Sequence, residues 1–212
     1  MLQAENMSLV SEINGEDQPW KLKVKIIRLW KQTFSNNPHV VSSIDMVLID
    51  EQGSRIQATV KHKLIPKFAA LLEEGGIRVI SNFGVGENKG RFLLTRHPCK
   101  INFYPNTSVR LSNDWAGPDQ SIHLLSFDDI LTKNFESVYS FDVIGEVVHC
   151  QDTKVMTTKG KERRVKNLQL QNHYPGKHSH SPMVGQQDIQ TNKVQTTCRM
   201  GKCRQLSAKI LD

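Results

Sequence analysis

Apolar and polar positions alternate strictly from Trp20 to Ile26, with Trp20, Leu22, Val24 and Ile26 on one side and Lys21, Lys23 and Lys25 on the other. Period-two alternation predicts a half-buried strand, here with a cationic outer face. The alternation slips at Ile26-Ile27 and resumes with Leu29 and Trp30. A long strand that bends or bulges to serve two sheets of a small barrel has this pattern. Ser35-Asn36-Asn37-Pro38 then marks a turn, and a second strand is predicted from Ile44 to Asp50. Glu51-Gln52-Gly53 turns into a third, Arg55 to Lys61, whose Ile56, Ala58 and Val60 share one face. Leu64, Phe68, Leu71 and Leu72 recur at helical spacing and predict a helix over 64–74, with Pro66 in its first turn and Gly75-Gly76 at its end. Ile77, Val79, Phe83 and Val85 restore period two as a fourth strand. A glycine-bearing loop, Gly84 to Gly90, leads to a fifth from Arg91 to Arg96, and Lys100 to Pro105 forms a last extended piece that alternates weakly.

Five strands with a long first one, and one helix between the third and fourth, place residues 18–105 in the all-β class as a five-stranded OB-fold barrel. Such barrels bind through the face of strands two and three and through the loops joining strands one to two and four to five. Those regions supply Lys31, Asn36, Asn37, Arg55, Gln57, Thr59, Lys61, His62, Lys89, Arg91 and Phe92. The set is basic, rich in amides and includes one phenyl ring. It suits single-stranded nucleic acid, which is held by cations along its phosphates and by rings under its bases, each stack contributing about 1–3 kcal/mol. Lys21, Lys23 and Lys25 are read instead as a solvated outer face, and Trp30 as barrel core or rim.

Charge sharpens this assignment. The 212 residues carry a net +7, and the excess is localised: Trp20 to Pro105 hold 14 basic and 6 acidic side chains, whereas residues 1–17 form an acidic tail with Glu5, Glu12, Glu16 and Asp17 and no Lys or Arg. A localised basic excess favours a polyanionic partner. Hydrophobic content is 38%, low enough to expect loose segments outside the barrel. No run of 18 apolar residues is present, and the N-terminal stretch lacks a basic region followed by an apolar one, so a soluble, non-secreted protein without membrane partners is expected. Cys99, Cys150, Cys198 and Cys203 do not suggest a disulfide framework.

Several of these segments carry a family likeness. Trp20-Lys-Leu-Lys-Val-Lys, Ile44-Asp-Met-Val-Leu-Ile-Asp50-Glu-Gln-Gly, Arg55-Ile-Gln-Ala-Thr59 and Lys100-Ile-Asn-Phe-Tyr-Pro-Asn-Thr107-Ser-Val resemble the first central DNA-binding OB domain of the replication protein A large subunit. Ile80-Ser-Asn-Phe-Gly-Val-Gly-Glu-Asn-Lys-Gly90 and Thr95-Arg-His97 are similar to the plant-type branch. The likeness spans residues 18–172 and rests on co-linearity of many segments. It implies a nuclear protein that binds single-stranded DNA without catalysis or cofactor in replication, repair or recombination, with other replication protein A subunits as partners. It also makes Phe92, which shares a face with Leu94, a base-stacking ring. A second family aromatic, at the end of strand three, falls on Lys61, which implies a more electrostatic mode of binding.

Residues 106–120 read as a linker, and Ser126-Phe-Asp-Asp-Ile-Leu131 resembles the helix that opens the family's second OB domain, with Ser126 as N-cap. Phe141 to Val148 and Leu168 to Gln171 look like its first two strands, around a basic loop from Lys154 to Lys166 that serves as an import signal, a DNA contact or an ordinary charged hairpin loop. After Asn172 the likeness stops, so 121–172 is expected to be an incomplete second OB and 173–212 a disordered tail. Cys198-Arg-Met-Gly-Lys-Cys203 with His173, His178 and His180 matches no strong zinc template, and no metal is assigned. No Walker loop, dinucleotide fingerprint or nucleophile elbow is present, and no enzyme is expected. Two rivals stand beside the DNA-binding reading: an OB domain that contacts protein and has little DNA affinity, and a fragment derived from a mobile element.

Overall fold

The alternation that begins at Trp20 becomes the first strand of a curled sheet. In the computed structural model, which describes residues 6–16, 18–34, 36–90, 93–118, 124–132, 136, 138–143, 146–152, 154–158, 161–171, 193–199 and 207–208, strand β1 covers Lys21–Thr33. It buries Leu22, Val24 and Ile26 completely. Antiparallel pairing to β2 (Val41–Asp50) slips in register between Ile26 and Arg28, the bulge expected at the break in alternation. Strand β3 (Arg55–Lys61) follows and turns Ile56, Ala58 and Val60 into the core.

The segment between β3 and the next strand is less regular than its leucine spacing predicts. One 3₁₀ turn covers His62–Leu64, helix α1 only Ile65–Phe68, and a second 3₁₀ turn Ala69–Leu71. The expected helix over 64–74 thus stops at Leu71. Leu72 is extended, at φ −115° and ψ 117°, and is buried. The buried Arg78 guanidinium reaches back, its Nε–H donating to the Leu71 carbonyl at 2.5 Å and one terminal N–H to Glu73 at 3.0 Å. An intrahelical bond is therefore not needed to satisfy that carbonyl. Gly75, at φ +87°, carries the chain back onto β1 through its N–H to Ile26 O at 2.7 Å.

Strands β4 (Ile77–Ser81) and β5 (Gly84–Glu87) are two halves of one extended stretch, kinked at Asn82, whose φ of 56° is left-handed. The first half pairs with β1 and the second with β6 (Cys99–Asn102), which lies parallel to β3. The hydrogen-bonded order β5-β6-β3-β2-β1-β4 therefore begins and ends on the same stretch, and the sheet curls into an OB-fold barrel. Strand β7 (Ser108–Ser112) adds outside β4. The closing strand is consequently Cys99–Asn102, with Ile101 and Phe103 buried, and not the expected Arg91–Arg96, of which the described residues 93–96 make one isolated bridge and a series of bends.

Two segments read as an acidic tail and a linker pack on the barrel. In the acidic N-terminal stretch, Val10 and Ile13 are buried in the barrel core, and Ser8 bridges to Leu22. The Val10 N–H donates to Asp50 Oδ2 at 2.8 Å, while His97 accepts the Cys99 N–H at Nδ1 and faces Val10 O with Nε2, 3.0 Å away. Because a carbonyl only accepts, Nε2 is the donor in the contact with Val10. Within the expected linker 106–120, residues 108–112 are β7, and Trp115 packs on Ile27, Val47 and Ile49, apolar residues on the outer side of β1 and β2.

The chain divides into two compact units, 1–121 and 122–212. In the second, α2 (Phe127–Leu131) is capped by Ser126, whose hydroxyl accepts the Asp129 N–H at 3.0 Å. Strands β8 (Phe141–Asp142), β9 (Glu146–Cys150), β10 (Lys154–Thr158) and β11 (Lys161–Gln171) follow. The expected basic loop 154–166 is thus mostly a paired β10–β11 hairpin. From the tail expected to be disordered, β12 (Lys193–Arg199) pairs with β11 and β13 (Ser207–Ala208) with β8, while its other residues lie outside those described. A small core joins Phe127, Ile130, Val143 and Leu170. No helix among the described residues is long and apolar enough to cross a membrane.

Candidate nucleic-acid interface

Because side chains alternate along each strand, the register fixes which residues share the outer face of β2, β3 and β6. Asp45 lies opposite Thr59 and Val47 opposite Gln57. Across the parallel pairing Gln57 meets Lys100 and Thr59 meets Asn102, while Phe103 N–H bonds Thr59 O. On β1, Trp30 lies opposite Asp45 and Gln32 opposite Ser43. One strip of surface therefore runs from Arg55 through Gln57 and Thr59 to Lys61, with Lys100 and Asn102 beside it.

The two ends of this strip differ. At the Arg55 end, Ile27, Val47 and Ile49 are covered by Trp115 and Leu94. Nearby, Lys23 forms ion pairs with Glu51 at 2.8 Å and Asp114 at 3.0 Å, and Lys25 lies 6.0 Å from the Trp115 ring centroid. The lysines of β1 expected to be solvated are thus partly covered. Hydrogen bonds that Lys23 donates to Glu51 and Asp114 raise its ammonium above its ordinary 10.5. For Glu51, burial works to raise the carboxyl, but the bonds from Lys23 and from the Ala116 N–H prevail and hold it below 4.5.

At mid-strip a pocket of about 350 Å³ is lined by Trp30, Asp45, Gln57, Lys89, Leu94 and Lys100, among others. Its lining includes an acid, Asp45, on the outer face of β2. Asp45 is buried and accepts the Ser43 hydroxyl at 2.8 Å and the Thr59 hydroxyl at 2.6 Å. The Thr59 hydroxyl hydrogen is therefore committed inside the protein. Asn88, in the pocket wall, is tied to the segment before β6: its N–H bonds Pro98 O at 2.7 Å and its amide bonds His97 O at 3.0 Å.

The far end is open. Lys61 is exposed and, like Lys100, makes no ion pair among the described residues. His62 places Nδ1 2.5 Å from Val41 O, and its ring meets Phe34 edge-on with centroids 5.5 Å apart. Phe34 and Tyr104 are both substantially exposed, at 40% and 49%.

The structure thus brings Gln57, Thr59 and Lys61 together, with Arg55 at the covered end and His62 at the open end. Asn36 and Asn37 are exposed in the β1–β2 loop, where the Asn37 side chain accepts the His39 N–H at 3.3 Å. Lys31 does not join the strip: it lies opposite Ile44, on the core-facing parity of β1. Lys89 lines the pocket but is paired with Glu87 at 2.6 Å. Arg91 and Phe92 lie outside the described residues. Sequence reasoning missed Lys100, Asn102, Asp45, Phe34 and Tyr104. The alternation of Lys100, Asn102 and Tyr104 against Ile101 and Phe103 was available as a signal, and assigning the closing strand to 91–96 hid it.

A family model described as Domain of unknown function DUF223 matches residues 11–133. No curated protein matches this sequence. Among solved structures, the chain is similar to one described as the structure and conformational change of a replication protein A heterotrimer bound to ssDNA, with TM-score 0.59 and 15% identity over 92% of this chain and 42% of that one. It is also similar to DNA-binding domain A of replication protein A from S. cerevisiae, with TM-score 0.41 and 19% identity over 51% of this chain and 95% of that one. A further match is fission yeast Pot1 with ssDNA, at TM-score 0.37 and 11% identity over 51% and 40% of the two chains. The chain spans less than half of the chain in the first of these structures, and that likeness is one of fold.

Proposed function

From the premise that the chain belongs to the family described as Domain of unknown function DUF223, we propose that it binds single-stranded DNA, without catalysis, along the outer face of β2, β3 and β6. The observation that carries this reading is one juxtaposition. Lys61 and Lys100, cations without ion pairs among the described residues, share an open strip with the amides of Gln57 and Asn102 and with exposed aromatic rings. Phosphates pair with the cations, and bases meet rings and amides, which is the division of labour single strands require. Duplex DNA, with its bases stacked inward, offers the rings no face.

The role we propose is that of the replication protein A large subunit, in replication, repair or recombination in the nucleus and together with further subunits. Segment-by-segment resemblance from Trp20 onward supports it, as does the similarity of fold over most of the chain to a heterotrimer described as bound to ssDNA. Co-purification with the two other subunits of such a heterotrimer tests the assembly. A second reading, a barrel that contacts protein instead, is favoured by the thinning of positive charge: Lys23 and Lys89 are paired internally and Asp45 lies in the pocket.

Fluorescence anisotropy with a labelled oligonucleotide decides between the two. DNA binding predicts a preference for single over double strands and an affinity that falls steeply with salt, because each phosphate contact releases counterions. Equal affinity for duplex, or none at low salt, refutes it and leaves the protein-contact reading.

A further inference from the structure

We propose that Tyr104 is a base-stacking platform at the Lys61 end of the strip, held in place by Gly84; the inference rests on the nucleic-acid reading above. Tyr104 follows β6 in the alternation that buries Ile101 and Phe103, so its ring emerges on the same face as Lys100 and Asn102. The parallel register of Gln57 with Lys100 and Thr59 with Asn102 runs toward Lys61 and Tyr104, which therefore lie at the same end of the strip. A ring seated over β5 and the Lys61 ammonium on β3, which has no ion pair among the described residues, thus share one end of the strip, the first suited to a base and the second to a phosphate.

Three features show that this ring is seated and not merely exposed. First, it lies over Gly84 on β5: a Cβ built on Gly84 would overlap the Tyr104 hydroxyl and ring carbons, so the absent side chain makes the space the ring occupies. Gly84 is itself buried, and its φ is not in the left-handed region, so its conformation does not require glycine. Second, the backbone is clamped on both sides by Thr107. The Tyr104 N–H donates to Thr107 Oγ1 at 2.8 Å, and Tyr104 O accepts the Thr107 N–H at 3.1 Å. Third, the Thr107 hydroxyl donates to Asn82 O at 2.8 Å, tying the clamp to the kink between β4 and β5, and Thr107 is buried. A ring fixed on one face and open on the other meets a base with little loss of rotational freedom, which is what a pre-organised platform provides. Phe34, another exposed ring at this end, is turned edge-on to His62.

Anisotropy titrations of the full chain against a labelled single-stranded oligonucleotide, at several salt concentrations, test this with Tyr104→Ala, Tyr104→Phe and Gly84→Ala. Loss of one stacked base predicts that Tyr104→Ala weakens binding about 5- to 150-fold. The slope of log affinity against log salt stays at the wild-type value, because no phosphate contact is removed. Tyr104→Phe keeps affinity within about twofold, since a phenyl ring stacks as well. Gly84→Ala weakens binding although Tyr104 is present, because the methyl lifts the ring from its seat; unchanged tryptophan emission checks that the barrel remains folded. If wild type binds and Tyr104→Ala binds equally well, the platform is refuted while the DNA-binding reading stands. A Tyr104→Ala loss accompanied by a shallower salt slope also refutes it, since the ring would then be acting through phosphate contacts. If wild type shows no binding at low salt, both fall together.

Discussion

Asp50 offers the sharpest test of how the N-terminal segment is held. Its carboxylate accepts three backbone N–H groups: Val10 on Oδ2 at 2.8 Å, and Gln52 and Ser54 on Oδ1 at 3.1 and 2.8 Å. Two of these bonds order the β2–β3 turn, and the third joins the turn to a segment forty residues earlier. In Asp50→Ala the three donors fare differently. Gln52 is exposed, so its N–H turns to water. Val10 is fully buried, and its orphaned N–H costs about 1–3 kcal/mol. With the weaker loss at the half-buried Ser54, the expected destabilisation is about 2–4 kcal/mol. Asp50→Asn keeps an oxygen for the turn but sets its NH₂ against the Val10 N–H, so it recovers only part of the loss. All three tryptophans, Trp20, Trp30 and Trp115, lie in the first unit, so urea unfolding followed by tryptophan emission reports on the barrel alone. With urea m-values of about 1–3 kcal/mol/M, the midpoint of Asp50→Ala falls by about 1–2 M. Exchange at the Val10 amide quickens in the same variant. An Asp50→Ala protein within about 0.5 kcal/mol of wild type, with Val10 still protected, would mean that the carboxylate does not anchor the segment.

Two other perturbations probe the covered end of the strip and the short helix. Glu51 has a depressed carboxyl pKa, so its contribution to stability is present above its ordinary value of 4.5 and is lost as pH falls through the lower folded-state value. The stability gap between wild type and Glu51→Gln, at most about 1 kcal/mol for a partly exposed pair at pH 7, narrows as pH falls through that folded-state value; a gap that does not change as the pH is lowered from 7 until the Glu51 carboxyl is protonated rules out the Lys23–Glu51 pair as its source. Phe68→Ala removes a buried ring that meets Phe103 edge-on with centroids 5.1 Å apart, and urea unfolding records a loss of about 3–5 kcal/mol; a loss under 1 kcal/mol shows that α1 does not seal the barrel.

Local alternation made much of this fold legible. Trp20 to Ile26 and Arg55 to Lys61 announce their inner and outer faces because a strand places successive side chains on opposite sides. The slip at Ile26-Ile27 located the bulge for the same reason. The closing strand was misplaced because Phe92-Leu93-Leu94 is the more apolar run, whereas what makes Cys99–Asn102 the closure is backbone pairing with β3 on one side and β5 on the other. That pairing leaves no mark in composition. The N-terminal stretch read as a charged tail because Val10 and Ile13 stand among acids; their burial depends on Asp50, forty positions away, and on His97, eighty-seven positions away. The cationic face was legible only as a total. Which cations remain available is decided by partners on other elements: Lys23 is drawn off by Glu51 and Asp114, and Lys89 by Glu87, while Lys61 and Lys100 are left unpaired among the described residues. The net +8 of residues 20–105 therefore overstates the field along the strip, and the same folding that removes charge from it seats a ring over Gly84 at the end where Lys61 remains. On the proposed reading, binding through this face rests on fewer phosphate contacts and more on stacking than the charge alone implies, and a salt slope below that of eight phosphate contacts combined with a large loss in Tyr104→Ala is the joint signature of that balance.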